Sequence, residues 1–114
     1  MKINIDEKDS VLVVSVDSSV LQEHIPLFKE RLNNIVSKEA CWIVFDLNEA
    51  DYLSSLGISV LLSVKNKTNK LGGDIVLTNV NHLIINLLKL TNLLDKVEIF
   101  DTVEEGVAAL KKKK

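Results

Sequence analysis

Polar and apolar residues alternate over Lys2-Ile3-Asn4-Ile5-Asp6, the period of a half-buried strand. Glu7-Lys8-Asp9-Ser10 is a polar turn, and the β-branched run Val11-Leu12-Val13-Val14-Ser15-Val16 follows it. Two such runs on a short link predict a β-hairpin. Asp17-Ser18-Ser19 ends the second strand, and the period then changes. Leu21, Ile25, Phe28, Leu32 and Ile35 recur at steps of four and three, which marks one face of a helix. Pro26 sets the start of the regular helix at about Ile25, because proline is tolerated in a first turn and not inside. Cys41-Trp42-Ile43-Val44-Phe45-Asp46-Leu47 is almost continuously apolar and predicts a central strand.

A second helix is predicted from near Ser55 to about Lys70. Gly57, Val60, Leu61, Val64 and Leu71 fall on its inner side, while Ser55, Ser59, Ser63, Asn66 and Lys70 head the solvent side. Ile58 and Leu62 flank the polar face and are expected to be partly exposed there. Leu71-Gly72-Gly73-Asp74 ends the helix with a glycine turn, and Ile75-Val76-Leu77-Thr78 predicts a short strand. The third helix, His82 to about Thr91, is apolar nearly all round and is expected to pack extensively against the sheet. Val97-Glu98-Ile99-Phe100 is a last extended piece. Thr102 caps a final helix that runs to about Leu110, with Glu104 and Glu105 favouring the positive end of its dipole. The order is β-β-α-β-α-β-α-(β)-α, an α/β single domain with a mixed sheet of four to five strands and about four helices.

Composition adjusts this picture in few places. A chain of 114 residues, 46% hydrophobic and 26% charged, suits one domain with a real core. The net charge of −2 argues against nucleic acid as a partner of the folded body. The domain is expected over residues 1–110, with Lys111–Lys114 as a solvated, disordered basic tail. Cys41 is the single cysteine, which fits a cytoplasmic protein and a packed, inert thiol. No apolar run is long enough to span a membrane.

Enzyme signatures are missing: no phosphate-binding glycine loop, no dinucleotide fingerprint, no cluster of histidines and cysteines at ligand spacing. His24 and His82 read as surface or helix-start residues. A nucleophilic serine would lack the G-x-S-x-G elbow. No catalytic residue, metal or cofactor is expected.

The chemistry that remains lies in Tyr52-Leu53-Ser54-Ser55-Leu56-Gly57-Ile58-Ser59, where a strand hands over to a helix. A hydroxyl there caps the helix or accepts a phosphate. This corner resembles that of the STAS domain family, whose small stand-alone members are bacterial anti-sigma factor antagonists. The family's corner commonly reads Asp-Ser-Ser/Thr/Ala-Gly-Leu-Gly after an aromatic and an aliphatic residue. Tyr52-Leu53 match that pair, Ser54 stands where the family often has aspartate, and Ser55 falls on the phosphorylated serine. Leu56 takes the variable position, Gly57 the glycine, Ile58 the leucine and Ser59 the second glycine. Leu90-Thr91-Asn92-Leu93-Leu94-Asp95-Lys96 and Ile99 to Glu105 are similar to the family's closing segment.

The resemblance implies a partner-switching regulator. The unmodified protein would bind an anti-sigma factor that is also a serine protein kinase, and so release a sigma factor. Phosphorylation of Ser55, or alternatively Ser54, would end the binding, and a serine phosphatase would restore it. The implied partner surface is Asp51, Ser54, Ser55, Leu56, Gly57, Ile58, Ser59, Leu62 and Ser63, on a monomer or weak dimer. The alternatives are an unphosphorylated STAS scaffold and a small-ligand or nucleotide-binding regulatory domain.

Overall fold

The computed structural model describes all of residues 1–114. The hairpin forms as β1 (Ile3–Lys8) and β2 (Val11–Val16), antiparallel, with Ile3 opposite Val16 and Lys8 opposite Val11. Asp9 and Ser10 make the turn with positive φ. A 3-10 turn at Gln22–His24 leads into α1 (Ile25–Ile35), which carries Pro26 in its first turn as the sequence predicts. Then come β3 (Trp42–Asp46), α2 (Ser55–Lys70), β4 (Asp74–Thr78), α3 (His82–Leu90), a 3-10 turn at Leu94–Lys96, β5 (Glu98–Phe100) and α4 (Val103–Lys113). The sheet has five strands in the order β1-β2-β3-β4-β5, and every pair after the hairpin is parallel.

Alternation along the strands divides the interior in two. Val14, Val16, Ile43, Phe45, Ile75 and Leu77 face α1, α2 and α3 and form the main core with Phe28, Leu32, Leu61, Val64, Ile84 and Leu88. Val11, Val44 and Val76 point the other way, under Val107 and Leu110 of α4. The crossovers α1, α2 and α3 thus share one face, and α4 alone covers the other.

The turn between α2 and β4 depends on its glycines. Gly72 has φ +90°, a left-handed conformation that side chains disfavour. A Cβ on Gly73 would lie 1.9 Å from the Cys41 carbonyl oxygen, so only glycine lets the two backbones meet there. Just past it, Asp74 is nearly buried. Its carboxylate binds Lys65 at 2.6 Å and Lys113 at 2.9 Å and accepts from its neighbour's amide, Ile75 N, at 2.8 Å. Burial opposes its charge, but the two lysines and that amide outweigh burial and hold its pKa below the ordinary value. Lys113 also pairs with Glu98, and Glu98 first and Asp74 second raise its pKa.

Four expectations change. α4 does not end at Leu110; it continues through Lys111, Lys112 and Lys113 because Asp74 and Glu98 hold Lys113, and lysines suit the negative end of the helix dipole. Leu71 is exposed, since the helix stops at Lys70 and its phase no longer applies. Ile58 is buried, not partly exposed. As the middle crossover, α2 is covered on its flank as well as its floor, and its buried arc includes Gly57, Ile58, Val60, Leu61, Val64 and Thr68. In α3 only Ile84 and Leu88 are buried, and Leu83 and Leu90 stand exposed. The edge strand nearby has three residues, so one strip of α3 suffices to cover it.

Candidate functional site

Ser54 and Ser55 differ in what holds them. Ser54 is the N-cap of α2: its backbone is extended, and its Oγ accepts from Gly57 N at 3.2 Å. Capping residues of this kind satisfy one of the free amides of the first turn. Ser55 is the first helical residue. It is exposed, and its hydroxyl has no partner within the protein; only its carbonyl is used, accepting from Ser59 Oγ at 3.1 Å. The amides of Ser55 and Leu56 make no backbone hydrogen bond. They face outward at the positive end of a 16-residue helix, where an anion is received well.

Two neighbouring segments fix this corner. Val20 and Leu53 form an isolated parallel bridge, with Val20 N donating to Tyr52 O and Ser54 N to Val20 O, both at 3.0 Å. Ser19 Oγ accepts from Tyr52 N at 3.0 Å. On the other side Asn81 does two jobs. Its Oδ1 caps α3 by accepting from Ile84 N at 2.9 Å, and its Nδ2 donates to the carbonyls of Ala50 and Asp51 at 3.3 and 3.0 Å. The backbone before the serines is therefore clamped from both flanks. Sequence reasoning missed Ser19 and Asn81. Asparagine before an apolar helical run signals a cap, but its reach to a loop 30 residues away leaves no local pattern.

Of the residues singled out from the sequence, Asp51, Ser55, Leu56, Ser59 and Ser63 are exposed around the start and outer face of α2. Ser54 and Leu62 are half-buried. Gly57 and Ile58 are buried and present no side chain to a partner. Leu56 and Tyr52 are exposed apolar groups on either side of the serines. No group of three histidine, cysteine or carboxylate side chains is arranged to hold a metal ion. No helix is long and apolar enough to cross a membrane.

A serine with a free hydroxyl thus stands in the first turn of the second crossover helix, on a five-stranded sheet of order β1-β2-β3-β4-β5. The STAS domain profile matches residues 2–106. The chain belongs to the STAS domain family. It is 25% identical over 111 residues to BtrV of Bordetella bronchiseptica, a candidate anti-sigma factor antagonist, covering 97% of this chain and 96% of that one. Among solved structures, a candidate anti-sigma factor antagonist from Thermotoga maritima superposes with a TM-score of 0.88 at 23% identity, covering 96% of this chain and 94% of the other. The antagonist SpoIIAA in its unphosphorylated form gives 0.81 at 12% identity, covering 97% of both chains. SpoIIAA from Bacillus in its phosphorylated form gives 0.72, covering 99% of this chain and all of the other. At these identities the structural matches establish the STAS fold.

Within this STAS domain Ser54 is the residue that caps the helix, its hydroxyl accepting from the Gly57 amide. No carboxylate sits immediately before Ser55.

Proposed function

We propose that this STAS domain is an anti-sigma factor antagonist that works by partner switching. Unmodified, it binds an anti-sigma factor that is also a serine kinase, in the cytoplasm, and releases a sigma factor. The kinase phosphorylates Ser55, the complex separates, and a serine phosphatase resets the protein. The observation that carries this reading is the exposed Ser55 hydroxyl, free of hydrogen bonds, at the first position of a helix already capped by Ser54.

The physics of the switch follows from that placement. A phosphate brings about −1.5 to −2 charges and several acceptor oxygens at pH 7. Here it meets free amides and the positive end of α2, an interaction worth roughly 0.3–1 kcal/mol. The fold therefore accepts the group without melting. An interface formed over the uncharged serine does not. Leaving a charge buried and unpaired against a partner costs several kcal/mol, and each ~1.4 kcal/mol is a factor of ten in affinity. A loss of roughly 100-fold or more needs no change of shape.

Incubation with the cognate kinase and ATP, followed by peptide mapping, tests the reading. Label on Ser55 is expected. A Ser55→Asp variant that binds the anti-sigma factor as tightly as the unmodified protein contradicts it.

A further inference from the structure

The outer face of α2 continues into a groove against α1. From α1, Ile25, Lys29 and Asn33 line it at steps of four. Leu56, Val60 and Ser63 line it from α2. The two helices run the same way: Ile25 lies with Leu56 at the end nearest Ser55, and Lys67 of α2 donates to the Asn33 carbonyl at 3.2 Å further along. The groove encloses about 210 Å³, room for one large apolar side chain. It stays open because the α2 positions between its apolar residues are serines. The Ser59 hydroxyl turns back onto its own helix to bond the Ser55 carbonyl.

Its charge is one-sided. α2 carries Lys65, Lys67 and Lys70 and no acidic residue. Lys65 is taken by Asp74, and Lys67 reaches a backbone carbonyl. Lys29, on the groove's α1 wall, is among the lysines that pair with no carboxylate. No carboxylate lines the groove. In a chain of net charge −2 the groove thus sets one cation, Lys29, beside an apolar floor of Ile25, Leu56 and Val60.

We infer that this groove is the docking slot for an acidic segment of the anti-sigma factor, with one apolar side chain seated over Ile25, Leu56 and Val60 and a flanking carboxylate on Lys29. The inference rests on the partner-switching reading and names the chemistry of the partner's contact. It also sharpens the switch. Ser55 lies one turn before Ser59, at the groove's mouth, so its phosphate has the same sign as the incoming carboxylates. Release is then by repulsion of the docked segment as well as by desolvation. Complementary charges of this kind act on both encounter rate and register.

The test uses the full chain and the anti-sigma kinase, with affinity measured by titration calorimetry at low and high salt. Lys29→Glu reverses the slot's free cation, and Ser63→Trp fills the slot; both sites are exposed, and melting curves confirm that each variant folds. Each is expected to weaken binding about tenfold or more, with the salt dependence of Lys29→Glu reduced. Lys112→Glu, on the far helix α4, is expected to leave affinity unchanged. A partner variant with one acidic residue reversed to lysine should recover binding to Lys29→Glu. If both groove variants bind like the unmodified protein while Ser55→Glu does not, the slot assignment is overturned and the switch stands. If the groove variants weaken binding while Ser55→Glu does not, the slot stands and the switch reading fails.

Discussion

Two adjacent serines with different hydrogen bonding make opposite predictions under the same substitution. Ser54→Ala removes the acceptor 3.2 Å from the Gly57 amide, at a half-buried site where water is a poor replacement. Loss of such a cap costs about 1 kcal/mol, in a range of roughly 0.5–2. For a domain of about this size, 1 kcal/mol lowers the melting temperature by about 4 °C. Ser55→Ala removes a hydroxyl that bonds nothing in the protein and places a good helix former at an exposed position. Its effect should stay within about 0.5 kcal/mol. Thermal melts by circular dichroism, confirmed by urea titration, read the first half of the prediction. Phosphorylation of the same two variants by the kinase reads the second. Ser54→Ala should melt lower and still be phosphorylated; Ser55→Ala should melt like the unmodified protein and take no phosphate. If Ser55→Ala proves the destabilised variant, or Ser54→Ala the one that escapes the kinase, the division of labour argued here is wrong.

Other substitutions probe the scaffold around that corner. A Cβ on Gly57 would meet its nearest atoms at 3.6–3.7 Å, ordinary contact, so Gly57→Ala should be neutral or stabilising by up to about 1 kcal/mol in denaturant titration. Gly106→Ala should cost about 1–3 kcal/mol in the same assay, because the new Cβ would lie 2.8 Å from Thr78 Cγ2 and 3.2 Å from Val76 Cγ2. Asn81→Ala unties both the α3 cap and the loop before Ser54, and a loss of about 1–2 kcal/mol with faster amide exchange at Tyr52–Ser54 is expected. The Asp74 pKa lies below its ordinary 3.8 in the folded state, so the stability it contributes is present above about that pH and fades as pH falls through the folded value. Lys113 is raised above 10.5, so its share is present below that pH and is lost as pH rises through the folded value. Asp74→Asn should therefore lower stability near neutrality by about 1.5–3 kcal/mol and flatten the acid limb of the stability curve.

Where neighbours in sequence are neighbours in space, the chain's pattern reads out directly. The hairpin, the start of α1 at Ile25 with Pro26 in its first turn, the apolar β3 and the Thr102 cap of α4, which accepts from Glu105 N, all follow from local propensity. Ile58 escapes such reading because it is buried in the main core although it flanks the polar face, and periodicity along one helix does not encode how wide an arc the rest of the fold covers. The exposed Leu83 and Leu90 escape it for the opposite reason: apolar composition does not say how much sheet there is to cover. The last turn of α4 depends on Asp74, 39 residues earlier, and Ser19 reaches a backbone amide 33 residues on. The position of Ser55 was legible as the junction of two periods. That its hydroxyl is free while that of Ser54 is used depends on the folded turn, in which the Gly57 amide meets Ser54.

The most direct test compares the affinity of the anti-sigma factor for the unmodified protein and for the protein fully phosphorylated on Ser55, with a melting curve taken on each. Binding at least about 100-fold weaker and an unchanged melting temperature are expected. Equal affinities, or a phosphorylated protein that has lost its fold, would contradict the switch.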